Sequence, residues 1–129
     1  MEFVNYNNNP KNKKTTDCVV RAISFALDKD YIETYKDMVE FSIKKCYFIS
    51  DTKLIKSYLE SLGYATEKQP RKLNNKKYTV EEFADDIAKK NGIYVLKIAG
   101  HITVIKNRTL YDTWNCKRKT VGNYWRIKF

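Results

Sequence analysis

The feature that most constrains the fold is a change in apolar spacing close to residue 92. Before it, apolar residues recur at the three- and four-residue spacing of helices, as in residues 19–27. From residue 93 onward, β-branched and aromatic residues form short segments separated by turn signals such as Ala99-Gly100. Helices followed by strands indicate an α+β fold, with N-terminal helices packed on a C-terminal antiparallel sheet.

Cap and turn residues set the expected element boundaries. We predict a largely buried first helix at 19–27, preceded by possible cap residues at 15–17, and a second helix at about 31–45. A third helix starts at Asp51 or Thr52 and has Gly63 as its C′ residue, and a fourth starts with a Thr79–Glu82 capping box and ends at Gly92. The predicted strands are 64–68, 93–98, 101–106, 109–113 and 124–129.

The chain length predicts one domain. A chain of 129 residues that is 43% hydrophobic can form one core, and 4 Gly and 2 Pro argue against disorder. We therefore expect a single domain over residues 1–129. Residues 1–14 are polar and contain Pro10, so we interpret them as an N-terminal arm.

The chain is strongly basic, with 25 Lys and Arg against 15 Asp and Glu and a net charge of +10. Such a balance favours encounters with acidic partners or polyanions. Two clusters stand out, at residues 11–14 and 117–119. Each is interpreted either as solvated surface or as an electrostatic contact site.

The cysteine and histidine counts limit metal chemistry and location. Three cysteines, no CxxC spacing and one histidine disfavour a zinc site, and we expect neither a metal nor a cofactor. The first nine residues lack the apolar stretch of a signal peptide, and no apolar run approaches the ~18 residues of a membrane span. We expect free thiols, a cytoplasmic protein and no membrane association.

Cys18 is the candidate nucleophile because it lies at the first turn of the first predicted helix. Free backbone N–H groups and the helix dipole at that end favour a thiolate, and they can also stabilise an oxyanion. The neighbouring Asp17 opposes this effect weakly. The alternative is that Cys18 is a small buried hydrophobic residue, and we expect Cys46 and Cys116 to be structural.

His101 is the only histidine and opens a predicted strand after Gly100. A nucleophilic cysteine needs a base, and imidazole titrates in the useful range. Asp112 falls on the next predicted strand, where its carboxylate can orient the ring. The alternatives are a surface or core histidine at 101 and a turn residue at 112.

The order of Cys18, His101 and Asp112 on a helix start and two successive strands resembles that of papain-like cysteine proteases. Asp112-Thr113-Trp114 is similar to the Asn-Ser-Trp of that family, and Gly100-His101 precedes an apolar strand, as around the family's histidine. Asn12 lies where the family has a glutamine before the nucleophile. The segment at 17–22, Asp-Cys-Val-Val-Arg-Ala, resembles that of small phage-encoded proteins of presumed papain-like fold.

This resemblance implies roles for each matched residue. Cys18 attacks, His101 carries the proton, Asp112 orients His101, Trp114 shields the pair, and Asn12 or the Cys18 N–H binds the oxyanion. It implies a peptide or protein substrate and, for a phage-encoded protein, the host-cell cytoplasm. The family's Cys-Gly-Ser-Cys-Trp signature is absent.

Three functions compete at this point. The first is a cysteine peptidase, amidase or related acyl transferase. The second is an inactive papain-like binding protein, such as a phage inhibitor of an acidic host partner. The third, direct nucleic-acid binding, is least favoured because many of the tyrosines fall on predicted core stripes.

Overall fold

The computed structural model describes residues 1–128 and shows an α+β fold, as predicted. In chain order the elements are β1 (Glu2–Asn5), α1 (Cys18–Leu27), α2 (Tyr31–Lys45), α3 (Thr52–Ser61), β2 (Thr66–Glu67), α4 (Val80–Asp86), β3 (Ile93–Ile98), β4 (His101–Lys106), β5 (Thr109–Asp112) and β6 (Tyr124–Lys128). Phe129, the last residue of the predicted C-terminal strand, lies outside the described residues.

The strands form one six-stranded sheet in the order β1-β5-β4-β3-β6-β2. Every neighbouring pair is antiparallel except β1 and β5, which run parallel. The expectation of a purely antiparallel, C-terminal sheet is therefore wrong at this edge. The apolar pattern that would indicate a strand is weak in β1, because this strand is four residues long and only partly buried.

Residues 1–14 are not simply a polar arm. Their first part is β1, and the Tyr6 N–H extends the pairing by donating to the Asp112 carbonyl at 2.8 Å. The Asn8 amide then donates to the Arg21 carbonyl at 3.2 Å and to Ser24 Oγ at 2.9 Å. Polar side chains thus hold this segment against α1 by hydrogen bonds. A polar composition therefore did not indicate that the segment is structured.

The helix boundaries follow local capping chemistry. Asp51 caps α3, and Thr79 and Glu82 form the predicted capping box of α4. Gly63 follows α3 with φ of +96°, a conformation that glycine adopts without steric cost. The prediction that the fourth helix runs to Gly92 is wrong, because α4 ends at Asp86.

Two cores cover the two faces of the sheet. One lies under α1, α2 and α3 and includes Ile23, Met38 and Trp125. The other lies under α4 and includes Phe83, Tyr94 and Leu96. Alternation along β3 sends Val95 to the first core and its two neighbours to the second. The packing of α1 across β4 sets the N-terminal end of this helix beside the start of the strand.

Among the described helices, none has both the length and the apolar character needed to cross a membrane.

Candidate active site

Cys18 is the first residue of α1 and is half-buried. The preceding Asp17 occupies the N-cap position but makes no side-chain cap hydrogen bond. The sequence offered Asp17 as a cap, and that expectation is wrong because its carboxylate turns to Arg21 and Tyr31 instead. The N–H groups of the first helical turn are therefore not capped by Asp17, and they point toward the end of α1 at which the thiol lies.

His101 is the first residue of β4 and follows the two-residue turn Ala99-Gly100. Gly100 has φ of +64°, so this tight turn needs glycine and fixes where the strand begins. The imidazole Nε2 lies 2.7 Å from Asp112 Oδ2. Because Nε2 is occupied, Nδ1 is the ring nitrogen left to interact with the Cys18 thiol on α1.

Asp112 is the last residue of β5 and is only 2% exposed. Its Oδ2 faces His101, while its Oδ1 accepts from the Thr113 N–H at 2.7 Å and lies 3.4 Å from Arg21 Nη1. The pairing of β4 with β5 brings this carboxylate to the imidazole. Asp112 thus ends a strand and also accepts from the N–H of the next residue.

The electrostatics of the three residues are mutually reinforcing. Burial alone would raise the pKa of Cys18, but hydrogen bonding to His101 and to the Ile102 N–H, with the Arg21 charge, lowers it. Burial would likewise lower the pKa of His101, yet the bonds to Asp112 and Cys18 raise it to about 9. The pKa of Asp112 is lowered: its burial is outweighed by the hydrogen bond to His101, by the charge of that ring and by the Thr113 N–H. The arrangement favours a thiolate beside an imidazolium.

Arg21 is a site residue that sequence reasoning missed. It lies one turn after Cys18, with its side chain 10% exposed, and joins two carboxylates. Its Nε is 2.8 Å from Asp17 Oδ1, and its Nη1 is 3.4 Å from Asp112 Oδ1. This contact offsets the negative charge that Asp17 places next to Cys18. The four-residue spacing of Asp17 and Arg21 was a signal for the first contact only.

Trp114 lies against His101, with ring centroids 5.3 Å apart and planes tilted by 54°. It is 41% exposed, so this ring contact lies at the protein surface. The residue proposed as shield is therefore next to the base.

Asn12 is exposed, in a turn with φ of +52°, and its N–H donates to the Asn9 carbonyl. The residues lining the small cavity beside Cys18 include Asn8 but not Asn12. The structure thus brings Cys18, His101, Asp112 and Trp114 together and leaves Asn12 without a described contact to them. The backbone N–H groups at the start of α1 are the hydrogen-bond donors next to the Cys18 thiol.

One group could hold a metal ion by its residue types. His101, Asp112 and Cys116 have ligand atoms within 4.8 Å of one another. However, burial and the Asp112 charge raise the pKa of the Cys116 thiol to about 12, and its sulfur lies 3.9 Å from Asp112 Oδ2. Metal binding here would require a proton to leave that thiol and the His101–Asp112 bond to break. The donor set fits a hydrogen-bonded cluster better than a metal centre.

In comparisons with protein-family models, curated proteins and solved structures, nothing matches this chain.

Proposed function

We propose that this chain is a papain-like cysteine hydrolase or acyl transferase that acts on an amide or thioester. The observation that carries the proposal is the position of His101 between the Cys18 thiol and the buried Asp112 carboxylate. A nucleophile, a base and an orienting group in contact are what covalent acyl transfer requires. The free thiols at 18, 46 and 116 fit a reducing compartment, and we place the protein in the cytoplasm.

The chemistry follows from the same contacts. The Cys18 thiolate attacks the carbonyl carbon, and the N–H groups at the start of α1 stabilise the oxygen that gains negative charge. The imidazolium of His101 gives its proton to the departing amine or thiol as the bond to carbon breaks. Water, or another acceptor, then attacks the acyl-thioester while His101 removes its proton. The acid or transfer product leaves, and the thiolate–imidazolium pair is restored.

Two further features support the papain-like assignment of this proposal. The bond from Asp112 to His101 Nε2 leaves Nδ1 for the sulfur, and the ring of Trp114 lies against the imidazole. The order of these residues along the chain agrees with the resemblance. A peptide or protein is the substrate that this assignment implies.

The test is the pH dependence of Cys18 alkylation by iodoacetamide, followed by mass spectrometry. A Cys46→Ser background removes the exposed thiol, and the buried Cys116 reports unfolding. We expect Cys18 to react below the ordinary pH range of a thiol, and His101→Gln to slow it ~100-fold at neutral pH, because the variant lacks the imidazolium. p-Nitrophenyl acetate should acylate Cys18 in the parent protein but not in the His101→Gln variant.

The matched control for His101→Gln is Lys106→Gln, which changes a residue at the other end of the same strand. Lys106→Gln should leave the alkylation profile in place. Equal rates for the His101→Gln variant and its parent, in folded protein, would rule out the proposed pair. An unchanged acylation by p-nitrophenyl acetate after Cys18→Ala would rule out Cys18 as the nucleophile.

A second candidate, a papain-like binding protein without catalysis, has one observation in its favour. Apolar side chains at the C-terminal end of α2 are open to solvent, with Phe48 86% and Ile43 72% exposed. Such a patch is typical of a surface that meets a partner. A stoichiometric partner retained by Cys18→Ala but lost by Phe48→Ser would favour this function over catalysis.

A further inference from the structure

We propose that a groove beside the N-terminal end of α1 binds a substrate peptide segment that combines acidic and apolar side chains. This inference rests on the proposed function, because it names the substrate class of that site. The groove lies between the loop at residues 9–16, the starts of α1 and α2, and residues 49–50. Its volume is about 710 Å³, within the ~300–1,000 Å³ that ligand sites occupy.

The floor of the groove is apolar. Ile32 and Tyr35 on α2 are each 44% exposed, and both line the groove together with Val20 and Ile49. An apolar side chain of a bound peptide would cover these residues and remove them from water.

The rim of the groove is basic. Lys11, Lys13 and Lys14 are exposed and line it, and within residues 1–128 no carboxylate forms an ion pair with them. Among residues 1–128, Asp17 is the one carboxylate that lines the groove, and it already accepts hydrogen bonds from Arg21 and Tyr31. Charge complementarity therefore favours an acidic peptide segment in the groove.

A second hollow connects the groove with residues next to the candidate active site. This hollow of about 360 Å³ shares the residues 13–17 with the groove and reaches Arg21 and Thr113. Thr113 follows Asp112 directly and precedes Trp114, which lies against His101. A peptide with its reacting carbonyl at Cys18 can thus pass over residues 13–17 into the groove.

The test measures binding of fluorescein-labelled peptides to the full-length Cys18→Ala protein by anisotropy, so that no chemistry intervenes. Three peptides of equal length are compared: one with Asp and Leu, one with Lys and Leu, and one with Asp and Ser. We expect the Asp-Leu peptide to bind at least about tenfold more tightly than either alternative. Raising the ionic strength should reduce its advantage over the Lys-Leu peptide.

The matched variants distinguish the groove from net charge. Lys13→Glu/Lys14→Glu changes the rim, whereas Lys117→Glu/Lys119→Glu makes the same change in charge at residues that do not line the groove. The first should abolish the preference for the Asp-Leu peptide, and the second should retain it.

Equal affinities for the acidic and basic peptides would overturn the groove proposal, as would equal losses in the two double variants. Binding of the Asp-Ser peptide as tight as that of the Asp-Leu peptide would also overturn it, because the apolar floor would then contribute nothing. These outcomes leave the alkylation experiment untouched. Failure of the proposed chemistry would instead appear as a Cys18 thiol whose reactivity does not depend on His101.

Discussion

Two thiols flank one buried carboxylate in this molecule, and they have opposite properties. On the α1 side, Cys18 meets His101, the Ile102 N–H and the charge of Arg21, and its pKa is lowered. On the side that follows β5, Cys116 is buried, its sulfur lies 3.9 Å from Asp112 Oδ2, and its pKa is raised to about 12.

The difference shows that burial alone does not set the pKa of a thiol. Cys18 is half-buried and Cys116 is buried, and burial by itself raises the pKa of a thiol. What separates them is the sign of the charge that each one faces: cations and a backbone N–H for Cys18, a carboxylate for Cys116. Asp112 therefore raises the pKa of Cys116 directly, and it raises the pKa of His101, which in turn lowers that of Cys18.

The largest expected effect comes from removing the cation between the carboxylates. Arg21→Met leaves Asp17 and Asp112 without their shared partner, and we expect the free energy of unfolding to fall by about 3 kcal/mol. Urea denaturation measures this change. Because Arg21 also lowers the pKa of Cys18, alkylation of that thiol should slow in the folded variant.

The control for Arg21→Met is Lys29→Met, which removes an exposed ion pair with Asp37. That variant should lose less than about 1 kcal/mol, because exposed pairs contribute little. Equal losses in the two variants would contradict a structural role for the buried cation.

A smaller effect follows from the proton on His101. Its pKa is about 9 in the folded chain and 6.5 as its ordinary value, so the folded state holds the proton more tightly. The stabilisation is complete below pH 6.5 and is lost as the pH rises through about 9. In a Cys18→Ala background, which removes the thiol titration, the stability advantage over His101→Gln should shrink by about 1–2 kcal/mol between about pH 6 and pH 9.5.

Urea denaturation across that pH range provides the measurement. A constant difference between the two proteins would show that His101 binds its proton equally in the folded and unfolded states. The His101–Asp112 contact would then make no contribution through ionisation.

The smallest effect concerns Cys116. Cys116→Ala removes one buried sulfur and should lower the free energy of unfolding by no more than about 1 kcal/mol. The alkylation rate of Cys18 at neutral pH should change by less than about twofold, because Cys116 stays protonated and adds no charge. A tenfold change in that rate would mean that the two thiols are coupled through Asp112.

Much of the fold was predictable because local signals specify it. The spacing of apolar residues and the Thr79–Glu82 box located the helices, and the Ala99-Gly100 turn located the hairpin. β1 could not be predicted, since a four-residue edge strand is defined by its partner at the far end of the chain. The early end of α4 at Asp86 also lacked a local stop signal.

The candidate site divides in the same way. Cys18 and His101 carried local cues, namely a helix start and a turn, whereas the contact of Arg21 with Asp112 joins residues that only the packing of α1 on the sheet brings together. Asn12 illustrates the converse. The resemblance matches it to the family's glutamine by its position before Cys18, but the turn at residues 9–12 leaves it exposed and without a described contact to Cys18.

The parallel pairing of β1 with β5 has a consequence for biosynthesis. The ribosome makes β1 first, but β1 finds its partner only after residues 109–112 have been made, and the same strand delivers Asp112 to His101. Contacts between such distant parts of a chain form late in folding. A nascent chain that ends before β5 therefore carries Cys18 and His101 but lacks the Asp112 carboxylate that raises the pKa of His101.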